Sequence, residues 1–285
     1  MLDDEAQFLH DLAASVPGFL QSGKSIPILE KSDIENRNIT ACVEDNIVTA
    51  LSLRYCNLTS LPVSISHLSK LRFLDLTGNL LSSLPDALTD LQNLEALYLD
   101  ENQLTAIPAT IGHLRNLKTL NVALNRLGSL PPGLQELQNL RSLNIRANRF
   151  KSLPEFLWEM IGLEILFLGD NPLEALPPEI GNLTNLKELY IHSSDLTSLP
   201  ESIGSLTALE IFDVGHNALT LVPESIGNLS ALCILYLSNN QLTTLPESIT
   251  NLKNLIYLNI THNRFTELPA FIGSLTTLRE FRLYN

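Results

Sequence analysis

Gly18-Phe19-Leu20-Gln21-Ser22-Gly23-Lys24-Ser25 satisfies G-x-x-x-x-G-K-S, a pattern whose backbone amides and lysine can cradle the phosphates of a nucleotide. That chemistry requires the loop to leave a buried strand and open a helix, so that the helix N-terminus faces the phosphates. The surroundings here are different. Phe8, Leu9, Leu12 and Ala13 are spaced as one face of a short helix, roughly Asp3 to Val16, which places the helix before the loop. Pro17 and Gly18 end it, and Pro27 biases Ile26 away from helical geometry just beyond the loop. Phe19 and Leu20 are bulky apolar residues inside it, and residues 1–47 are too few to supply a nucleotide-binding sheet. The match reads as coincidence, and no cofactor is expected.

Imidazoles and carboxylates offer a second chemistry, metal binding or acid–base work. There are six histidines. Three of them, His192, His216 and His262, fall in one region with Asp170 and Asp213. Whether they can cooperate depends on the elements that carry them, and those follow a repeat.

The unit L-x-x-L-x-L-x-x-N-x-L-x-x-L-P-x-x-I-x-x-L-x-x begins at Val48, Leu71, Leu94, Leu117, Leu140, Leu163, Leu186, Leu209, Leu232, Leu255 and Leu278, always 23 residues apart. Proline recurs in step from Pro62 to Pro269. The alternation at Leu74 and Leu76 predicts a short strand with its leucines on one side. One such strand cannot bury its face alone, so stacked units must form a parallel sheet over a continuous leucine core. Asparagine at the ninth position sits where the chain leaves the strand, and its amide can satisfy backbone groups of the turn. Proline at the fifteenth cannot continue a ladder and starts the return. Apolar residues at eighteen and twenty-one suit a turn or two of 3₁₀ or α-helix.

These motifs resemble the leucine-rich-repeat family, and the L-P-x-x-I-x-x-L signature resembles its intracellular Ras-group and Roco-type subclass. The resemblance implies an α/β solenoid curved as a horseshoe, with a parallel β-sheet on the concave face, short helical or 3₁₀ turns on the convex face, and partners bound on the concave side. The domain reading is residues 1–47 as an N-terminal helix plus hairpin cap, and residues 48–285 as ten complete repeats and a truncated eleventh. The hairpin is expected from Ile39–Val43, a turn at Glu44-Asp45-Asn46, and Ile47–Leu53. Cys56 and Ser194 stand where other repeats carry asparagine. The eleventh repeat stops before its own ninth position without a polar capping helix, which predicts a longer parent protein.

The chain is 45% hydrophobic with a net charge of -13, an unfavourable balance for phosphate backbones or anionic lipid. Neither nucleic acid nor membrane is expected as a partner. The start is acidic rather than a secretory signal, and Cys42, Cys56 and Cys233 form no disulfide cluster, so a cytoplasmic, reducing location is expected.

Positions three, five and seven of each repeat point away from the leucines. At positions three and five the chain places Phe73, Tyr98, Ile165, Phe167, Tyr190, Asp213, Ile234, Tyr236 and Tyr257, with Ile211 and Glu188 among them. An exposed aromatic cluster marks an interaction site, and tyrosine is a preferred anchor. Asp100, Glu101, Asp170, Glu188 and Asp213 add an acidic tone, broken by Arg54 and Arg146, that suits a protein or peptide partner with basic groups. At ~4.8 Å per repeat His192 and His216 come within reach of each other, but scattered surface histidines are the ordinary reading. No metal site or catalytic residue is expected, and the chain does not read as an enzyme. The function expected is a protein-interaction scaffold. The alternative is the targeting region of a larger enzyme, a GTPase or ubiquitin-ligase-like effector, whose catalytic domain lies outside this chain.

Overall fold

The computed structural model describes Phe8, Asp11, Leu12, residues 39–45 and residues 47–284. The G-x-x-x-x-G-K-S match and most of the helix expected over Asp3–Val16 lie outside the described residues. Phe8 and Leu12 are fully buried, and Ser64 donates a 2.5 Å hydrogen bond to Asp11 Oδ2.

The chain divides into two compact units, Met1–Asn144 and Ile145–Asn285. The first carries β1 (Ile39–Glu44), β2 (Ile47–Leu53), β3 (Phe73–Asp75), β4 (Ala96–Tyr98), β5 (Thr119–Asn121) and β6 (Ser142–Asn144). β1 and β2 form an antiparallel hairpin with a register shift between Cys42 and Val43. β2 is at once the hairpin's second strand and the strand of the first repeat. From β2 to β6 successive strands pair in parallel, each residue opposite its counterpart one repeat on. The second unit carries β7 (Ile165–Phe167), β8 (Glu188–Tyr190), β9 (Ile211–Asp213), β10 (Ile234–Tyr236), β11 (Tyr257–Asn259) and β12 (Glu280–Arg282), paired the same way. In β4 to β11 the central residue is buried and its two neighbours are half-buried.

After each fifteenth-position proline the chain takes one five-residue 3₁₀ turn, from Val63–His67 to Ala270–Ser274. The sequence left α and 3₁₀ open. The tighter form puts positions eighteen and twenty-one on the same side, where both reach the core. Ile65 and Leu68 show it: both are buried, and the Leu68 amide donates to the Ile65 carbonyl at 3.0 Å.

The ninth-position asparagines join one repeat to the next. Asn79 Oδ1 accepts from the Cys56 and Leu58 amides, both at 3.0 Å, and its Nδ2 donates to the carbonyls of Leu53 and Leu76, both at 2.8 Å. Asn102, Asn125, Asn171, Asn217, Asn240 and Asn263 repeat the pattern within their own units. All except Asn217 are buried. A further row went unread in the sequence. At the last position of the repeat, Asn93, Asn116 and Asn139 donate to the carbonyls of Ser69, Gln92 and Arg115, each at 2.8 Å, and Asn185 and Asn254 do likewise in the second unit.

Ser194 shows what the amide does by its loss. Its hydroxyl reaches only the His192 carbonyl, at 3.2 Å. The Leu173 amide, which an asparagine would have taken, turns back to the Asn171 carbonyl at 2.8 Å, and Glu174 is forced to φ +62°. Asn240→Ala strands several buried amide and carbonyl groups and is expected to cost about 3 kcal/mol, whereas Ser194→Ala is expected to cost under about 1 kcal/mol. Urea unfolding of the two variants beside the parent chain measures both, and equal losses would contradict the amide's role.

Candidate functional site

Because the strands pair in register, each outward position forms a column of side chains, one per repeat. In the second unit the position-five column reads Phe167, Tyr190, Asp213, Tyr236, and the position-three column reads Ile165, Glu188, Ile211, Ile234, Tyr257. All of these are half-buried. Phe167 and Tyr190 stack with ring centroids 4.5 Å apart and planes 5° apart. Tyr236 and Tyr257 meet at 4.9 Å and 48°, and the Arg282 guanidinium lies 5.6 Å over the Tyr257 ring. The Tyr190 hydroxyl donates to Glu188 Oε2 at 2.9 Å. Burial first, and then Glu188, pushes the Tyr190 phenol well above its usual range, so the ring stays neutral.

Phe73 and Tyr98, the other two aromatic residues expected on this face, fall in the first unit. They pair with each other at 5.5 Å and 44°. Around them the carboxylates are matched internally. Asp75 lies 3.6 Å from Arg54. Asp100 accepts from Thr77 and Asn121, both at 2.9 Å, and burial raises its carboxyl. Tyr55 reaches across Gly78 to Glu101 at 3.3 Å. Gly78 sits at φ +69°, and a β-carbon there would come within 2.1 Å of the Tyr55 ring, so the crossing needs glycine. The sequence signal for it was a lone glycine at position eight.

The histidines separate. His216 contacts the Asn239 amide at 3.2 Å, and His262 meets the Tyr284 ring edge-on at 5.4 Å. His192 instead lies between two carboxylates, with Nδ1 3.2 Å from Asp213 Oδ2 and Nε2 3.5 Å from Asp170 Oδ2. Arg146 Nε pairs with the same Asp170 oxygen at 2.6 Å. Gly169 and Gly215 occupy the positions on either side of His192, and a β-carbon on Gly169 would press 3.1 Å from the imidazole. This arrangement orders charge. Among the described residues no group of three histidines, cysteines or carboxylates is placed to hold a metal ion.

A recess of about 660 Å³ opens elsewhere, at the flank of the first unit, lined by Lys70, Arg72, Glu95 and Lys118 together with asparagines of the second row. Glu95 there is clasped by Arg72 and by Lys118, the latter at 2.7 Å, and Lys118 and then Arg72 hold its carboxyl low. Arg72, Glu95 and Lys118 satisfy one another, which makes the recess a seam of the stack. The aromatic columns are the better candidate.

The family profile described as "Leucine-rich repeat region" matches residues 36–152 and 213–285, and "Leucine rich repeat" matches residues 161–219. No curated protein gives a significant sequence match. Among solved structures, the chain is similar to a Leptospira interrogans leucine-rich-repeat protein, with 31% identity, TM-score 0.60, and 80% of this chain covering 70% of that one. It is similar to the Arabidopsis receptor kinase HAESA, solved with the peptide hormone IDA and the co-receptor SERK1, at 26% identity and TM-score 0.78. All of this chain then covers 54% of that one. It is also similar to the plant peptide hormone receptor RGFR1 in complex with RGF2, at 28% identity and TM-score 0.72, over 91% of this chain and 46% of that one. The chain thus spans about half the length of the two receptor chains.

The His192 arrangement fixes a pH response. The short contact with Asp213 is the main cause that raises the imidazole pKa; burial opposes it, and Asp170 assists. A raised folded-state pKa stabilises the protein fully below the unfolded value of about 6.5, and that stabilisation is lost as pH rises through the raised value. NMR titration should place His192 above the ordinary histidine midpoint, and Asp213→Asn should bring it down. A His192 midpoint indifferent to Asp213→Asn would remove the basis for this response.

Proposed function

The chain belongs to the leucine-rich-repeat family, and on that premise we propose that it is a protein-interaction module that lays an extended segment of a partner protein across the strand face of repeats six to ten. The observation that carries this reading is the half-buried apolar face of Phe167, Tyr190, Tyr236 and Tyr257 with Ile165, Ile211 and Ile234 between them. A solvated sheet needs no such surface, and contiguous exposed aromatic area is characteristic of contact sites. Cross-strand packing that only steadies the sheet accounts for each aromatic pair but gives no reason for Ile165, Ile211 and Ile234 to join the pairs into one apolar face across β7 to β11. HAESA was solved with the peptide hormone IDA, and RGFR1, a peptide hormone receptor, with RGF2, which supports a peptide or protein as the ligand class.

The finer readings have their own support. The unbroken 23-residue period with a single 3₁₀ turn per repeat fits the Ras-group and Roco-type subclass that the sequence resembles. A reducing, cytoplasmic location is supported by three free cysteines, of which Cys56 is buried with its thiol pushed up to about 11 by burial. A thiol so rarely ionised is a filler and not a reactive group. The net charge of -13 disfavours nucleic acid and anionic membrane as partners.

Selection of a displayed peptide library against the whole chain tests the site. Selected ligands should lose at least tenfold in affinity for Phe167→Ala/Tyr190→Ala/Tyr236→Ala, since anchors of this type are each worth about 2 kcal/mol. Phe73→Ala/Tyr98→Ala serves as the control and should bind unchanged. Ligands that bind the triple variant as well as the parent would discard this site.

A further inference from the structure

Within the proposed docking face, Asp213 interrupts the run of aromatic residues at position five of repeats six to nine. Asp213 sits in register between Tyr190 on β8 and Tyr236 on β10. At ~4.8 Å per strand the two tyrosines are rooted about 9.6 Å apart. The aspartate between them is much shorter, so the column has a gap with phenol walls and a carboxylate floor. Phe167 covers one face of Tyr190, which leaves the other face toward the gap. Tyr236 is braced from behind by Tyr257. Gly215, the next outward position of the same repeat just past the end of β9, places no side chain over the carboxylate. Glu188 stands diagonally on β8 and accepts the Tyr190 hydroxyl.

The charge of this spot is also out of keeping with its surroundings. Along the strand face Asp75, Asp170 and Glu280 each have a permanent cation beside them, Arg54, Arg146 and Arg282, whereas the group beside Asp213 is His192, charged only when protonated. The outward positions three, five and seven of repeats six to nine hold two carboxylates, Glu188 and Asp213, and no lysine or arginine. Asp213 Oδ1 accepts from the Gly215 amide at 3.0 Å, and Oδ2 faces His192. A carboxylate in this position has lone pairs left for a further donor.

We propose that the gap over Asp213 is the seat of an arginine side chain of the partner segment, with the guanidinium stacked on Tyr190 and its edge bonded to Asp213. The proposal rests on the strand face being the docking surface and adds what the partner must present there. Arginine fits better than lysine. A planar guanidinium stacks on an aromatic face and presents a fork of donors at its edge, whereas an ammonium is a strongly hydrated point charge. A flat group between two rings needs about 7 Å, so a gap of about 9.6 Å lets it stack on one wall while its edge reaches the floor.

His192 gives the seat a second signature. The charged groups around it are Asp213 from β9, Asp170 from the preceding repeat, and Arg146 behind Asp170; Glu188 and Tyr190 lie on β8 of its own repeat. With His192 protonated, Arg146, Asp170, His192 and Asp213 form an alternating row with no net charge. With His192 neutral, the row carries one negative charge. A bound guanidinium therefore opposes protonation of His192, and by linkage binding strengthens as pH rises through the His192 midpoint.

The test uses the whole chain and N-acetyl-Gly-Arg-Gly-amide, compared by NMR titration with the same tripeptide carrying citrulline, which keeps the shape without the charge. The arginine peptide should perturb the Tyr190 and Tyr236 ring signals and bind roughly five- to tenfold more tightly than the citrulline peptide. Saturation with it should lower the His192 midpoint. Asp213→Asn keeps an acceptor for the Gly215 amide, so the fold should survive, as a cooperative thermal melt above the His192 midpoint verifies, and the preference for charge should vanish. Glu188→Gln should reduce that preference with less effect on the melt. Equal binding of the two peptides, a preference that survives in Asp213→Asn, or a lysine peptide as tight as the arginine one would overturn the proposal. The two readings fail separately. Display-selected ligands without arginine that still depend on Phe167, Tyr190 and Tyr236 would leave the docking face standing and remove only the arginine seat.

Discussion

The side-chain amide of the ninth-position asparagine is the interaction on which the rest depends. Strands of three residues are at the short end of the usual range for a sheet, and a leucine core alone is indifferent to small slips. The amide is not indifferent. Asn79 must accept from the Cys56 and Leu58 amides and donate to the Leu53 carbonyl of the preceding repeat while also holding its own Leu76 carbonyl. Buried groups left without such partners are costly, so one residue locks the distance and register of two repeats together. At Ser194 the bonds cannot be made, and the preceding chain rearranges through Glu174.

Register fixed in this way has a backbone consequence. At position eight the chain turns left-handed in every repeat from Tyr55 to His262, with φ between +52° and +69°, and only Gly78 is glycine. Such a conformation costs roughly 1 kcal/mol or more for an ordinary residue. It persists because the amide there is committed to the next repeat, as when Asp170 donates to the His192 carbonyl at 2.9 Å. The stack therefore imposes the turn whatever the residue, and position eight is left free to carry Tyr55, Glu101, Asp170 or His216 for surface purposes.

That separation explains what could be read from the sequence. The leucine, asparagine and proline positions all state one period, so the repeat, the parallel strands and the columns of Phe167, Tyr190, Asp213 and Tyr236 follow from counting. The 3₁₀ form of the return did not, because positions eighteen and twenty-one are also compatible with α-helix. The second asparagine row was missed because it appears in only some repeats and looks variable. The sequence put Asp170 and Asp213 in the region of His192 but did not give their direct contact with it, for a different reason. It joins position eight of one repeat to position seven of the next and position five of the one after, so it runs diagonally, and diagonal neighbours are set by side-chain reach and by the absence of side chains at Gly169 and Gly215. Counting gives columns; it does not give diagonals.

The two kinds of charge on the surface can then be told apart. At position two, Arg72, Glu95 and Lys118 alternate in sign along one flank of the first unit, and Glu164 and Lys187 continue the habit in the second, with Lys187 2.7 Å from its partner. These charges answer one another across repeats, as cross-strand pairs do, and they belong to the stack. Glu188 and Asp213 stand among apolar side chains without a lysine or arginine at the outward positions around them. Half-exposed carboxylates lose little by this, since water still reaches them, so the stack tolerates the imbalance without being strengthened by it. Asp213 has a local part in the fold, since its Oδ1 takes the Gly215 amide as Asp75 and Asn259 take theirs, but an uncharged asparagine serves equally at that position, so the repeat does not require the charge. Changing the outward residues while leaving leucine, asparagine and proline alone should alter what the face binds and leave the repeat intact, which is the physical sense in which one scaffold can serve many partners.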